Sequence, residues 1–127
     1  MPYRLVTSPD LDWETRPHEA GEPARHVAEL SDALDTHVRA NVWRYEPGAH
    51  GKRHRHVEQE ETFVVLSGTL TMYLGEPPER VEVPEGGVIT VAAGTELQSA
   101  NHGPGALTVY AYGHPPDDGA EVLDSAI

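Results

Sequence analysis

The sequence predicts an all-β domain of the barrel or sandwich class, and three observations support this prediction. From Arg39 to about Tyr112, short runs rich in Val, Thr, Tyr and Leu follow one another, and these residue types favour strands. Gly, Pro or charged turns separate the runs at the intervals expected of all-β folds. Many short strands cannot bury their apolar faces as one open sheet, which favours two facing sheets.

The first part of the chain, residues 1–37, predicts an N-terminal arm rather than a core. Several prolines interrupt it, and it contains one short helical candidate, ARHVAELSDAL. Val27, Leu30 and Leu34 recur there at the three- and four-residue spacing of a helix. The arm is too poor in apolar residues to form its own core, so we expect it to pack across its own barrel or a partner's.

The barrel core is expected at about residues 38–114. Its predicted strands are ANVWRYE, TFVVLS, TLTMYLG, RVEVPE, VITVAA and ALTVYAY. Their aromatic residues Trp43, Tyr45, Phe63 and Tyr110 are expected to form core or pocket wall. Residues 115–127 predict a loose or packed-on strap, in which Asp117 and Asp118 are solvated. Residues 1–127 are thus interpreted as one domain.

Composition excludes several classes of function. Nine Lys and Arg stand against 21 Asp and Glu, giving a formal charge of −12, which disfavours both nucleic acid and anionic membranes as partners. No apolar run approaches the ~20 residues that span a bilayer, and the expected location is cytoplasmic. The chain has no cysteine, so any metal must be held by nitrogen and oxygen ligands.

Two histidines and a glutamate form a candidate metal site. An extended strand would place His54 and His56 on one face, because side chains alternate with period two. After a turn at VEQE, Glu61 shares an inward face with Phe63, and burying a carboxylate there is costly without a compensating positive charge. The three residues predict a two-His-one-carboxylate site for one divalent ion. The candidate metals are iron, manganese, nickel and zinc. The alternative is a polar pocket that satisfies the three groups without metal.

The sequence resembles the cupin superfamily in two motifs. The first motif reads Gly, five residues, His-x-His, three or four residues, Glu, six residues, Gly. Its positions are occupied by Gly48, His54, His56, Glu61 and Gly68.

In the second motif, GGVITVAAGTELQSAN, Gly86, Gly94 and Asn101 fit the family pattern. Ala92 replaces the expected Pro and Leu97 replaces the expected His. The resemblance covers roughly residues 38–114. It implies a double-stranded β-helix, or jelly-roll barrel, with a pocket at its wider end. It also implies a homodimer, which is the usual assembly of small cupins.

Leu97 stands where metal-binding cupins usually have their fourth ligand, so a three-ligand site remains. Glu60 also satisfies the motif spacing and could replace Glu61. His50 is expected to be an exposed loop residue, and His102 to cap or line the rim. Gln98 should face away from the pocket if its strand is regular.

Two functions from different classes remain open. The first is a small metal-dependent enzyme, of oxygenase or isomerase type, in which the ion polarises a substrate oxygen or activates dioxygen. The second is a non-catalytic protein that binds a small molecule and has a vestigial or empty metal site. Leu97 favours the second modestly, and both imply a small organic molecule as ligand or substrate.

Overall fold

The protein folds into two antiparallel sheets, which confirms the predicted fold class. The structure, a computed structural model, describes residues 3–34, 36–116 and 119–127. The N-terminal part contains a 3-10 helix (Ser8–Asp10), strands β1 (Trp13–Thr15) and β2 (Arg25–Glu29), and the one-turn helix α1 (Ser31–Leu34). The core strands are β3 (Arg39–Tyr45), β4 (His54–Arg55), β5 (Glu60–Ser67), β6 (Leu70–Leu74), β7 (Glu79–Val83), β8 (Val88–Val91), β9 (Glu96–Ala100) and β10 (Leu107–His114). A last short strand, β11, spans Glu121–Val122.

The chain alternates between the two sheets, as in a jelly roll. One sheet has the order β1-β2-β3-β10-β5-β8, and the other has the order β11-β4-β9-β6-β7. From β3 to β10, successive strands pass from one sheet to the other, except at the β6–β7 hairpin. This connectivity brings β4 and β5, which are adjacent in sequence, onto facing sheets.

The core lies between the sheets. Strand β10 shows why, because its residues alternate between buried and less buried, with Leu107, Val109 and Ala111 facing inward. The buried apolar cluster comprises Tyr45, Ala49, Phe63, Val65, Leu70, Met72, Val83, Val91, Leu97, Leu107, Val109 and Ala111. Half of the predicted strand aromatics thus lie in this cluster, and Trp43 packs against it.

One of the motif glycines is required by its turn. Gly68 has φ of 88°, a backbone conformation that only glycine adopts readily. A Cβ at this position would also lie 2.9 Å from the carbonyl oxygen of Ala106. The turn between β5 and β6 therefore has no room for a side chain.

The N-terminal helix prediction was wrong for most of its span. Val27 lies in strand β2, which pairs along β3 with Val27 opposite Trp43, and only Ser31–Leu34 is helical. Pairing supplies the backbone of residues 25–29 with hydrogen bonds from the edge of β3, and it buries Val27 to 1% exposure. Part of the arm thus packs on the chain's own sheet, which is one of the two expected arrangements, its own barrel or a partner's.

The C-terminal segment packs onto the second sheet. Strand β11 pairs with β4, and the Leu123 amide donates to the Arg53 carbonyl at 2.8 Å. Asp117 and Asp118 lie outside the described residues. Among the helices of the described ranges, none has the length and apolar character needed to cross a membrane.

Candidate metal centre

His54, His56 and Glu61 converge between the two sheets. One potential ligand atom from each of them lies within 4.8 Å of the others. The Nε2 atoms of His54 and His56 are 3.2 Å apart, and His56 Nε2 lies 3.2 Å from Glu61 Oε1. The structure thus brings together the three residues that the sequence analysis selected.

Short local elements position the two histidines. Strand β4 contains only two residues, and it pairs with β9 so that His54 lies opposite Leu97. The chain leaves the strand at His56, whose ring still lies beside that of His54, with 4.8 Å between the centroids. A bend follows at residues 57–58. Strand β5 then begins on the facing sheet, and Glu61 enters the same space from that side.

The backbone orients the His54 ring. Its Nδ1 donates to the Lys52 carbonyl at 2.8 Å, which leaves the Nε2 lone pair directed at the other two side chains. Burial is the main cause of a lowered pKa at His54, and the positive charge of Arg39 contributes in the same direction. The neutral imidazole, which is the metal-binding form, therefore persists to a lower pH.

The carboxylate of Glu61 is buried where a cation would stabilise it. Its side chain is only 12% exposed. Oε1 lies 3.2 Å from His56 Nε2 but, within the described part of the chain, it is buried and accepts no hydrogen bond. A buried carboxylate oxygen of this kind is costly unless a positive charge compensates it. Two imidazole nitrogens and this oxygen form a donor set that suits a divalent transition metal. The residues present therefore fit such an ion.

A cavity of about 190 Å³ opens beside the three residues. Its wall is formed by Arg25, Arg39, Asn41, Trp43, Tyr45, Gly51, Lys52, Phe63, Leu97 and Ser99, together with the two histidines and Glu61. The Tyr45 and Ser99 hydroxyl groups are hydrogen-bonded at 2.6 Å. A small molecule in this cavity would touch both the His–His–Glu group and the polar wall.

Comparison with known families is consistent with this geometry. The family model of the Cupin domain (Cupin_2) matches residues 41–112, which contain all three residues of the candidate metal centre. The chain belongs to the cupin family. A comparison of this cupin with curated protein sequences found no significant match.

Solved structures share the fold of this cupin. An uncharacterised conserved protein with a double-stranded β-helix domain from Klebsiella pneumoniae has a TM-score of 0.74 at 22% identity, covering 96% of this chain and 98% of that chain. A sugar phosphate isomerase of the cupin superfamily from Silicibacter pomeroyi has a TM-score of 0.77 at 22% identity, and the match covers 95% of this chain and 82% of that chain. A predicted oxalate decarboxylase from Thermotoga maritima has a TM-score of 0.74 at 20% identity, and the match covers 86% of this chain and 96% of that chain.

In this cupin, Leu97 faces the site as the motif position requires. It is 2% exposed, belongs to the apolar cluster and lines the cavity across from His54. A side chain at this position could therefore reach an ion, but leucine has no ligand atom. Leu97 instead gives the cavity an apolar wall, which excludes water from that side.

The other candidates lie outside the group. Glu60 is exposed on β5, so it does not replace Glu61. His50 is exposed, as expected. His102 is also exposed and lies 2.9 Å from the Tyr73 hydroxyl through its Nε2. Gln98 faces away from the cavity, where it is fully buried and hydrogen-bonded.

Tyr110 is not in the buried apolar cluster. It is half-buried beside Tyr112, and the two rings lie 5.6 Å apart. The alternation of β10 turns its side chain to the face opposite the inward residues. Of the four predicted aromatics, Tyr110 alone is therefore on the wrong side for a core or pocket residue in the described structure.

The polar half of the cavity wall was not predicted from the sequence. Arg39, Asn41, Trp43 and Tyr45 alternate along β3 and all line the cavity. Period-two alternation could have placed Arg39 and Asn41 on the face of the two aromatics. Arg25 had no comparable signal, because its position depends on the pairing of β2 with β3.

Proposed function

We propose that this protein binds one divalent transition-metal ion through His54, His56 and Glu61 and acts with it on a small organic molecule. The observation that carries the proposal is the buried Oε1 of Glu61, which lacks a hydrogen-bond partner in the described structure and faces two imidazoles. A divalent ion bound there would supply Lewis-acid polarisation of a substrate oxygen.

The chain's own residues would prepare this chemistry. The Lys52 carbonyl fixes the His54 ring, which keeps a nitrogen lone pair aimed at the site. Phe63 and Leu97 form apolar wall, and a drier site strengthens electrostatic interactions with a bound oxygen. The hydroxyl pair of Tyr45 and Ser99 offers a proton donor and acceptor at the cavity surface.

The fold neighbours named as a sugar phosphate isomerase and a predicted oxalate decarboxylase support a reaction on a small, oxygen-rich molecule. An isomerase or an oxygenase is the type of enzyme we propose. The second candidate is a protein that binds a small molecule without turnover. Leu97 favours this second candidate, because it removes one ligand from the expected set of four.

Metal analysis tests the proposal. Untagged protein purified without chelator should carry about one equivalent of a transition metal, and His54→Ala and Glu61→Ala should each lose it. His50→Ala is a matched control, because His50 is exposed and lies outside the group. Less than about one-tenth of an equivalent in the wild type would contradict metal binding.

Turnover then separates the enzyme from the binding protein. Iron that consumes dioxygen in the presence of a small organic molecule would support an oxygenase, and conversion of a substrate without net oxidation would support an isomerase. Ligand binding without turnover, unchanged in His54→Ala, would support the binding protein and contradict the metal-dependent enzyme.

A further inference from the structure

The cavity beside the candidate metal centre is positively charged within an acidic protein. The chain has nine basic and 21 acidic residues. Among the described residues that line the cavity, however, Arg25, Arg39 and Lys52 are cations and Glu61 is the only carboxylate. A divalent ion on the three candidate ligands would make this excess larger. The local charge therefore favours an anion.

Among the described residues, the guanidinium groups of Arg25 and Arg39 have no acidic partner. Arg16, Arg53, Arg55 and Arg80 all form ion pairs with glutamates, whereas Arg44, outside the cavity, has none among the residues described. Within the described ranges, Arg25 and Arg39 form neither an ion pair nor a side-chain hydrogen bond. Their donors are thus available in a protein that is rich in carboxylates.

Arg25 is held in place by aromatic rings rather than by a counter-ion. Its guanidinium carbon lies 5.0 Å from the centroid of the Trp43 ring and 5.6 Å from that of Tyr45, which are cation–π distances. The missing side chain of Gly51 provides the space, because a Cβ there would lie 3.3 Å from Arg25 Nη1 and 2.9 Å from Ser99 Oγ. The Arg25 donors are therefore oriented before a ligand arrives.

Asn41 adds a neutral polar group to the same wall. It is 6% exposed and lines the cavity, and its side chain makes no hydrogen bond in the described structure. Its amide atoms are not among the buried side-chain atoms that lack a partner in the described structure, so they remain accessible from the cavity. They are available to hydrogen-bond a ligand there.

We infer that the molecule acted on is a small organic acid whose carboxylate binds Arg25 in this cavity, where Arg39 adds positive charge and Asn41 a polar group. The inference rests on the proposed function, since it names the substrate class of the same site. The planar guanidinium fork matches a carboxylate. At about 190 Å³, the cavity is smaller than the roughly 300–1,000 Å³ pockets that hold drug-sized ligands. This size selects an acid of a few carbon atoms.

Calorimetric titration with lactate and its neutral analogue lactamide tests the inference on metal-free and zinc-loaded protein. Lactate should bind at least about tenfold more tightly than lactamide in both forms, because a charge-assisted hydrogen bond adds to the affinity. Arg25→Gln should abolish most of this preference and Arg39→Gln should reduce it, and both variants should leave the zinc content unchanged. Arg25→Lys should restore only part of it, since lysine lacks the fork.

Arg44→Gln is the matched control. Arg44 lies on β3 like Arg39 but on the opposite face, outside the cavity, so this variant should keep the full preference for lactate. Equal binding of lactate and lactamide, or an Arg39→Gln variant that behaves like Arg44→Gln, would overturn the inference. Tighter binding of inorganic phosphate than of lactate would overturn the assignment to a carboxylate.

The same titrations separate this inference from the proposed function. A protein that binds no zinc but retains the arginine-dependent preference for lactate supports the acid and contradicts the metal site. A protein that binds zinc through the three candidate ligands but does not prefer lactate supports the metal site and contradicts the acid.

Discussion

Leu97 occupies a wall position next to the candidate metal centre. It lies opposite His54 in the β4–β9 pair, and its side chain lines the same cavity as the three candidate ligands. Directly opposite residues in an antiparallel pair have neighbouring side chains. The wall position that leucine occupies is thus within reach of the site.

We expect Leu97→His to raise the affinity for zinc or manganese by about tenfold or more, because it adds a fourth nitrogen ligand to a formed site. Competition with a fluorescent chelator measures the change. Leu97→Ile is the control, since it alters the shape of the side chain without adding a ligand atom. An affinity in Leu97→His equal to that of Leu97→Ile would show that position 97 does not reach the ion.

At the level of single residues, the sequence predicted one half of the site. His54, His56 and Glu61 could be found because a two-residue spacing in an extended chain and a carboxylate in an apolar row are local patterns. The alternation of β3 could also have placed Arg39 on the cavity face. Arg25 could not be found in this way, because it reaches the cavity only through the pairing of β2 with β3.

Among the strands, β4 depends most on its neighbours. It has two residues and lies between β9 and β11, so its own hydrogen bonds contribute little. Gln98 on β9 reinforces this region from the outer face. Its Nε2 donates to the Gly51 carbonyl at 2.9 Å, and its Oε1 accepts from the Ala126 amide at 2.7 Å.

We expect Gln98→Ala to lower the free energy of unfolding by about 2 kcal/mol, since it leaves buried backbone groups without partners. Urea denaturation measures the loss. Ser125→Ala is a graded control, because it removes only the hydroxyl that lies 3.0 Å from Gln98 Nε2 and should cost less. If Gln98→Ala loses no more stability than Ser125→Ala, Gln98 does not join the loop at Gly51 to the C-terminal segment at Ala126.

At the level of elements, most core strands were predictable, whereas β9 and the N-terminal strands were not among the predicted runs. Strands β3, β5, β6, β7, β8 and β10 fall on the predicted runs, because alternation and turn residues mark them locally. The segment that contains β2 and α1 carries a helical apolar spacing at Val27, Leu30 and Leu34. The pairing of β2 with β3 is a contact distant in sequence, which overrides that local preference.

For the whole molecule, a homodimer remains our prediction. The outer face of the six-stranded sheet exposes Trp13, Leu66, Val88 and Tyr112 at 39% to 61%, although the free face of an antiparallel sheet is ordinarily polar. A second copy covering this face would remove these side chains from water. Sedimentation equilibrium at micromolar concentrations should give twice the mass of the chain, and Leu66→Glu should weaken the association. A monodisperse wild-type monomer would contradict the dimer.

The strand order of the second sheet also bears on when the protein can acquire a metal. Strand β4 carries His54, but both of its neighbours, β9 and β11, come later in the chain. The ribosome synthesises from the N-terminus at roughly 5–20 residues per second, so a nascent chain carries both histidines before it contains the strands that hold them in register. We therefore expect metal to be captured after β9 and β11 have paired with β4, and not while the histidines lie in an unpaired segment.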